Sequence, residues 1–369
     1  MTQNWLATLL RHATVSADSN LALVDQIVAA FPNAQVRRFP DATGQKSSLL
    51  LRFGPDVAGG LMLSGHLDVV PVVGQNWTYP PFAATLAQGR IYGRGAADMK
   101  GFVAASLAVA AVGPMSRPLY LALSYDEEIG CVGVRPMLAE IAHLRPDLVI
   151  VGEPTQMQIG LGHKGKIAFR AEARGVSGHS ATAPLALNAL HIAADYMAAL
   201  RGLQAEWETP LGGDYAIPYP TVHVGRMTGG GAVNLVPNHA EMLFELRFTA
   251  QDDATALAAR IAQLAEQVIA PYRARFADAA LVVTQINDYP AFAADPALLR
   301  DFRAIWPRPT CHLSYGTEAG LFAATLGVPV VVCGPGNMAQ GHREDEYIEI
   351  DQLAQCDAML RAAIQHYCK

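Results

Sequence analysis

Residues 61–71 read LMLSGHLDVVP, and the fold is decided by how this stretch is read. Its apolar opening predicts a buried strand, which runs out at His66-Leu67-Asp68. Residues two apart on an extended chain share a face, so the imidazole and the carboxylate lie side by side at the strand's carboxyl end. A metal-binding histidine needs such an acid beside it to orient its ring. Taken alone, the pair also fits a strand–loop junction where both residues only cap backbone groups.

Two further stretches repeat the pattern. Residues 119–124 predict a strand that stops at Tyr125-Asp126-Glu127-Glu128, and residues 147–151 one that stops at Gly152-Glu153-Pro154-Thr155. Another strand is expected near residues 48–53. Helical patterns lie between: residues 21–31, with Asp18, Ser19 or Asn20 as N-cap; an apolar run from the bend at Asp98 to about Val112; and residues 132–142. Apolar strands that alternate with helices and end in acids or histidine predict an α/β layered mixed sheet, whose ligands bind beyond the strands' carboxyl ends.

From about Lys164 the pattern changes. Ile167, Phe169, Ala171 and Ala173 alternate, a helix is expected over 186–203 and a strand over 221–227, and Met242, Phe244, Leu246 and Phe248 alternate again. A helix over 254–269 and a strand over 280–286 complete a β-α-β-β-α-β order, that of a ferredoxin-like α+β unit. The predicted organisation is a discontinuous domain, 1–163 and 288–369, with residues 164–287 inserted as a second domain. After the insertion a helix from about Pro296, a strand near 311–314, a short helix after Thr317, a strand over 328–333 and a helix over 351–366 return the chain to α/β.

The 369 residues are 51% hydrophobic and 16% charged, enough apolar content for two cores. A net charge of −6 without any Lys/Arg run argues against nucleic acid or an anionic membrane as partner. The opening residues lack the pattern of a secretory signal, and the apolar stretch around 102–112 is too short to span a bilayer. Five scattered cysteines without CxxC spacing read as reduced thiols, so a soluble cytoplasmic protein is expected.

Five candidate ligands fall at strand ends or in loops: His66, Asp98, Glu128, Glu153 and His342. Two imidazoles and three carboxylates suit a pair of borderline divalent ions such as zinc. Asp98, in a bend between Gly95 and Gly101, is the candidate bridge between them. Glu127, beside Glu128, is then free to act as general base on a water. The Glu127-Glu128 pair, His342 and Glu153, each taken in isolation, also read as solvated surface.

The motifs SGHLDVVP, GRGAADMKG, YDEEIG, VGEPT, GVSGHSATAP and GHREDEYI resemble, in order and spacing, the dizinc metallopeptidase and deacylase family that includes acetylornithine deacetylase, succinyl-diaminopimelate desuccinylase, aminoacylase and glutamate carboxypeptidases. Within that family, GEPT followed by GHKG, then IPYPTVHVG, GTEAGLF and GPGNMAQGHREDEYIE, look most like acetylornithine deacetylase. The resemblance implies that His66 and Glu153 hold one metal, Glu128 and His342 the other, and Asp98 both. It implies that Asp68 orients His66, that Glu127 is base and then proton donor, and that the Asp98–Met99 peptide is cis. The insertion resembles the family's lid and dimerisation domain, with His179 matching a residue near the scissile carbonyl and Asn234 and Arg247 matching substrate contacts. Arg247 also falls on the strand face opposite Met242, Phe244, Leu246 and Phe248, free to clamp a carboxylate. Thr317, at a helix start, reads equally as a cap or a substrate contact.

The expectation is therefore a homodimeric amide hydrolase of arginine biosynthesis with two divalent ions, zinc or substituting cobalt. It would take an N-acyl amino acid, N2-acetyl-L-ornithine first, and release L-ornithine and acetate. Sibling substrates are N-acetylcitrulline, N-succinyl-diaminopimelate, other N-acyl amino acids and dipeptides. A non-catalytic binding protein on the same fold would be expected to lose Glu127 or a ligand. A serine hydrolase lacks its GxSxG elbow here.

Overall fold

Four apolar runs become the centre of one sheet. In the computed structural model, which describes residues 1–16, 18–110, 113–209 and 214–369, the strands Leu119–Ser124, Leu61–His66, Leu148–Pro154 and Val330–Gly334 lie side by side, fully buried. Each neighbouring pair is parallel, so all four carboxyl ends emerge on one edge. Strands without polar alternation are what a sheet covered on both faces demands. The flanking strands Ser47–Phe53 and Gln35–Pro40 pair antiparallel, making the sheet mixed, as the sequence predicted.

The chain divides into two compact units: Met1–Gly162 with Phe292–His312 and Thr317–Lys369, and His163–Ala291 with Leu313–Gly316. In the first, helices Thr2–Arg11, Gly101–Val109 and Ile350–Tyr367 pack together, as do Val134–Ile141 and Ala319–Leu326. Helix Gly101–Val109 is buried on every side. It comes so close to the sheet that a Cβ on Gly152 would lie 1.9 Å from the Phe102 ring. This close approach brings the bend before the helix, with its cis Asp98–Met99 peptide, over the strand ends.

The second unit is a four-stranded antiparallel sheet in the order Thr221–Gly229, His239–Phe248, Gly165–Arg174, Ala280–Tyr289. Its helices Ala189–Trp207 and Ala254–Arg273 cover one face, filled by Phe169, Met242, Phe244, Leu246 and Phe248. Connection order and sheet order are together those of a ferredoxin-like unit.

Local boundaries moved where caps or breakers decided them. The helix expected from Pro296 starts at Arg300. The helix after Asp98 is described to Val109, and its expected end at Val112 lies outside the described residues. Asn20 occupies the cap position of helix Leu21–Ala30, but its amide pairs with the backbone of Ser47, and the Ser19 hydroxyl takes the Leu21 amide instead. No helix among the described residues is long and apolar enough to cross a membrane.

Two glycines predict opposite effects of one added methyl group. Gly152→Ala drives a carbon into Phe102 and is expected to destabilise the fold by about 1–3 kcal/mol. Gly202, inside helix Ala189–Trp207, has nothing within 4 Å of that carbon. Gly202→Ala is expected to stabilise by about 0.5–1 kcal/mol. Denaturant titration of both variants checks the signs.

Candidate metal centre

The strand ends deliver His66 and Glu153 into a buried pocket, and the glycine bend delivers Asp98. The His66 Nδ1 lies 2.9 Å from the Asp68 carbonyl oxygen, so it carries the ring proton there. The opposite Nε2 lies 3.2 Å from Asp98 Oδ1 and 3.9 Å from Glu153 Oε1. In a neutral ring that nitrogen is a lone pair facing carboxylate oxygens, an arrangement that a proton or a metal cation between them makes favourable.

A mirror of the same arrangement sits on the other side of Asp98. Its Oδ2 is 3.1 Å from His342 Nε2, which also lies 3.0 Å from Glu128 Oε2. Asp98 thus turns one oxygen to each histidine. Ligand atoms of His66, Asp98 and Glu128, and of His66, Glu127 and Glu153, lie within 4.8 Å of one another. The nitrogen and oxygen donors fit divalent ions of the zinc type.

Without cations the charges are balanced by protons. Burial pushes Glu127 up to about 8 and raises Glu128, and it lifts Glu153 well above the usual range, helped by Asp98. Hydrogen bonds to Asp98 and Glu128 hold His342 protonated up to about 10. Burial works against a charged His66, yet Asp98 and Asp68 raise it well above an ordinary imidazole. Asp98 moves the other way: burial opposes its ionisation, but hydrogen bonds from His342 and His66 hold it well below the usual range.

Asp68 does more than the dipeptide spacing indicated. Its carboxylate is 3.6 Å from His66 Nδ1, whereas it accepts the amides of Glu127 at 3.1 Å and Glu128 at 3.3 Å and the Ser16 hydroxyl at 2.8 Å. It therefore fixes the backbone of the Glu127-Glu128 pair, while its own carbonyl orients the imidazole.

The remaining candidates divide between the units. Thr317, in the first, is buried and its hydroxyl accepts the amide of Ala319, the first residue of helix Ala319–Leu326. In the second, strand Gly178–His179 pairs with Leu235–Val236, and the Ser180 amide donates to the Asn234 carbonyl, which brings His179 and Asn234 together. His179 Nδ1 accepts the Ala181 amide, so in the neutral ring the proton sits on Nε2 of an exposed imidazole. Arg247 donates to Glu245 at 2.8 Å and to the Tyr289 hydroxyl at 2.6 Å.

A family model for peptidase family M20/M25/M40 matches residues 62–366. The chain belongs to this family. It is 32% identical to an acetylornithine deacetylase of Pectobacterium atrosepticum, over 98% of this chain and 96% of the relative. Among solved structures, an M20 family metallo-carboxypeptidase from Sulfolobus solfataricus superposes with a TM-score of 0.77 at 18% identity, covering 98% of this chain and 97% of that one. A Bacillus subtilis protein described as a dinuclear metal binding peptidase of the M20 family gives 0.66 at 14%, covering 98% and 96%. This M20 chain is a metal-dependent hydrolase.

Around the M20 site stand further polar residues outside the expected ligand set. The Cys131 thiol donates to Glu127 Oε1 at 3.3 Å, and buried Glu318 accepts from the Ser64 hydroxyl at 3.1 Å. Glu346 takes the amides of Ala97 and Asp98 on one oxygen, at 3.0 and 3.1 Å, and Arg94 on the other at 2.6 Å. Arg94 and Glu346 both stand in quoted motifs, but nothing local pairs them across 252 positions.

Asp68→Ala would leave two amides and a hydroxyl without their acceptor. Hydrolytic activity is expected to fall about 10–100-fold. Steady-state kinetics alongside circular dichroism would show whether the loss occurs in a folded protein.

Proposed function

We propose that this chain hydrolyses the amide of an N-acyl amino acid, with N2-acetyl-L-ornithine as preferred substrate and L-ornithine and acetate as products. The observation that carries the substrate is the full-length likeness to acetylornithine deacetylase, 32% over 98% of the chain. For the chemistry, support comes from Asp98 facing two histidines, with Glu127 alongside.

His66 and Glu153 would hold one divalent ion, Glu128 and His342 the other, and Asp98 both, with zinc the proposed occupant and cobalt a substitute. When bound, such a pair supplies Lewis acidity, lowering the pKa of a water and polarising an acyl oxygen. Glu127 accepts a proton from the attacking water and delivers it to the departing amine nitrogen. The Cys131 thiol occupies one of its oxygens and leaves the other for that transfer. His179 offers its Nε2 proton to the developing oxyanion, and Asn234 and the Arg247 guanidinium take the substrate's carboxylate end.

The same reading makes the enzyme a cytoplasmic homodimer of arginine biosynthesis, paired through its ferredoxin-like unit, which acts as lid. The five cysteines are free thiols, in keeping with a reducing compartment.

The test is amine release from N2-acetyl-L-ornithine by protein stripped of metal and reloaded with zinc or cobalt, with N-acetylcitrulline and N-succinyl-diaminopimelate as controls. Metal-dependent release fastest with acetylornithine supports the proposal; faster turnover of a control transfers it to that substrate. Glu127→Gln is expected to lower kcat by about 10²–10⁴ while metal content stays at the wild-type level.

Protons and metals compete for the same ligands, which fixes a pH dependence. His342 in the metal-free protein holds its proton up to about 10, and burial keeps Glu153 protonated well above the usual range. Both must release protons before they can ligate. Between pH 6 and 8 the metal-free state binds more protons than the loaded one, so apparent metal affinity rises with pH. Calorimetric titration in two buffers of different ionisation enthalpy should report net proton release; none would contradict the ligand set.

A further inference from the structure

His342 poses a mechanical problem. Its side chain is 50% exposed, so packing does not fix the ring, and its backbone adopts φ 63°, a conformation that side-chain-bearing residues rarely keep unaided. Its Nε2 nevertheless stands 3.1 Å from Asp98 and 3.0 Å from Glu128. Those contacts hold only the ring's tip, so how closely it approaches Asp98 also depends on where its backbone is held.

One unbroken run of hydrogen bonds reaches that backbone from Asp98. The amides of Ala97 and Asp98 donate to Glu346 Oε1. Arg94 Nη1 donates to Glu346 Oε2 at 2.6 Å and to the Arg343 carbonyl at 3.2 Å, and its Nη2 donates to Gln75 Oε1 at 2.6 Å. Gln75 Nε2 then donates to the carbonyl of His342 itself at 2.8 Å. The Trp77 indole lies against this run twice, donating to Gln75 Oε1 at 3.2 Å and offering its ring face to Arg94 at 5.1 Å. Next to it, Asp345 Oδ1 accepts the amides of Thr78 and Tyr79, tying residues 75–79 to the His342 loop a second time.

Resting on the metal-pair reading of the site, we infer that Gln75, Arg94 and Glu346 form a positioning relay that sets the spacing of His342 from Asp98 and so governs affinity at one of the two metal positions. The position concerned is the one shared by Asp98, Glu128 and His342. His66 and Glu153 lie on strands of the central sheet, so the other position meets the relay only at its Glu346 end, through Asp98, and not through Gln75. Gln75 is the joint. Its carbonyl serves Arg94 and Trp77, and its amide nitrogen alone reaches His342.

Gln75→Glu separates these functions. The isosteric carboxylate still accepts from Arg94 and Trp77 but sets an oxygen against the His342 carbonyl. Metal-free wild type, Gln75→Glu, Gln75→Ala and Glu346→Gln would be titrated with zinc against a competing chromophoric chelator, with thermal unfolding of each metal-free protein measured in parallel. Wild type should take up two ions per chain. The Gln75 variants should keep one at wild-type affinity and bind the second about 10–100-fold more weakly, with unfolding of the metal-free protein unchanged. Equal weakening of both ions, or two ions held at wild-type affinity, would overturn the relay. Fewer than two ions in wild type would instead sink the metal-pair reading itself. Glu346→Gln breaks a buried ion pair and risks the fold; if it does not fold, the Gln75 variants decide.

Discussion

Asp98 holds one carboxylate oxygen 3.2 Å from the Nε2 of His66 and the other 3.1 Å from that of His342, and much of the first unit follows from keeping it there. A carboxylate at the focus of two imidazoles and three further acids cannot be positioned by apolar packing alone, because buried charge costs more than such packing returns. The chain answers with backbone. Glu346 collects two amides of the bend, and Lys100 donates to the carbonyls of Leu9 and His12 at the end of the first helix. Behind the bend, Gly152 lets Phe102 settle onto the sheet, and a Cβ on Gly65 would lie 2.9 Å from Val103 and 3.0 Å from Met99. Catalytic geometry and core packing meet at these glycines.

The strands were legible because their signal is local. An apolar run that breaks at a histidine or an acid states both its burial and its end, and parallel pairing places all such ends on one edge. The inserted unit was legible for the same reason: Met242, Phe244, Leu246 and Phe248 alternate with Glu245 and Arg247, and the sheet buries the first set and leaves the second half-exposed. Helix ends were less so. Nothing in the sequence around Asn20 shows that its amide is spent on the neighbouring strand, since that depends on where Ser47 lies in three dimensions.

Long-range polar pairs were not legible at all. Asp68 and the amides of Glu127 and Glu128, Arg94 and Glu346, and Gln75 and the His342 carbonyl all join distant parts of the chain, and no periodicity marks them. Hydrogen bonds to backbone carry no partner identity in sequence, so even within a quoted motif such as GHREDEY the acid at 346 could not be told from the solvated acid at 344. Burial distinguishes them: Glu346 is 1% exposed and sits on Arg94.

This contrast also explains why the chemistry is easier to read than the substrate. The proposed ligands and Glu127 belong to the first unit, and all but His342 sit at or near the ends of regular elements, where local pattern and function coincide. The residues proposed to meet the substrate belong to the second unit and owe their arrangement to exposed loops and to pairs formed there. His179 depends on two residues of pairing with Leu235–Val236, and Arg247 on Glu245 and Tyr289. A guanidinium already donating to a carboxylate and a phenol has fewer N–H groups left for a ligand, so its neighbours set what it can accept. Discrimination among N-acyl amino acids of similar size rests on such few contacts, each open to substitution without disturbing the sheet beneath. The reaction is therefore tied to the fold's most constrained edge and the choice of side chain to its least constrained.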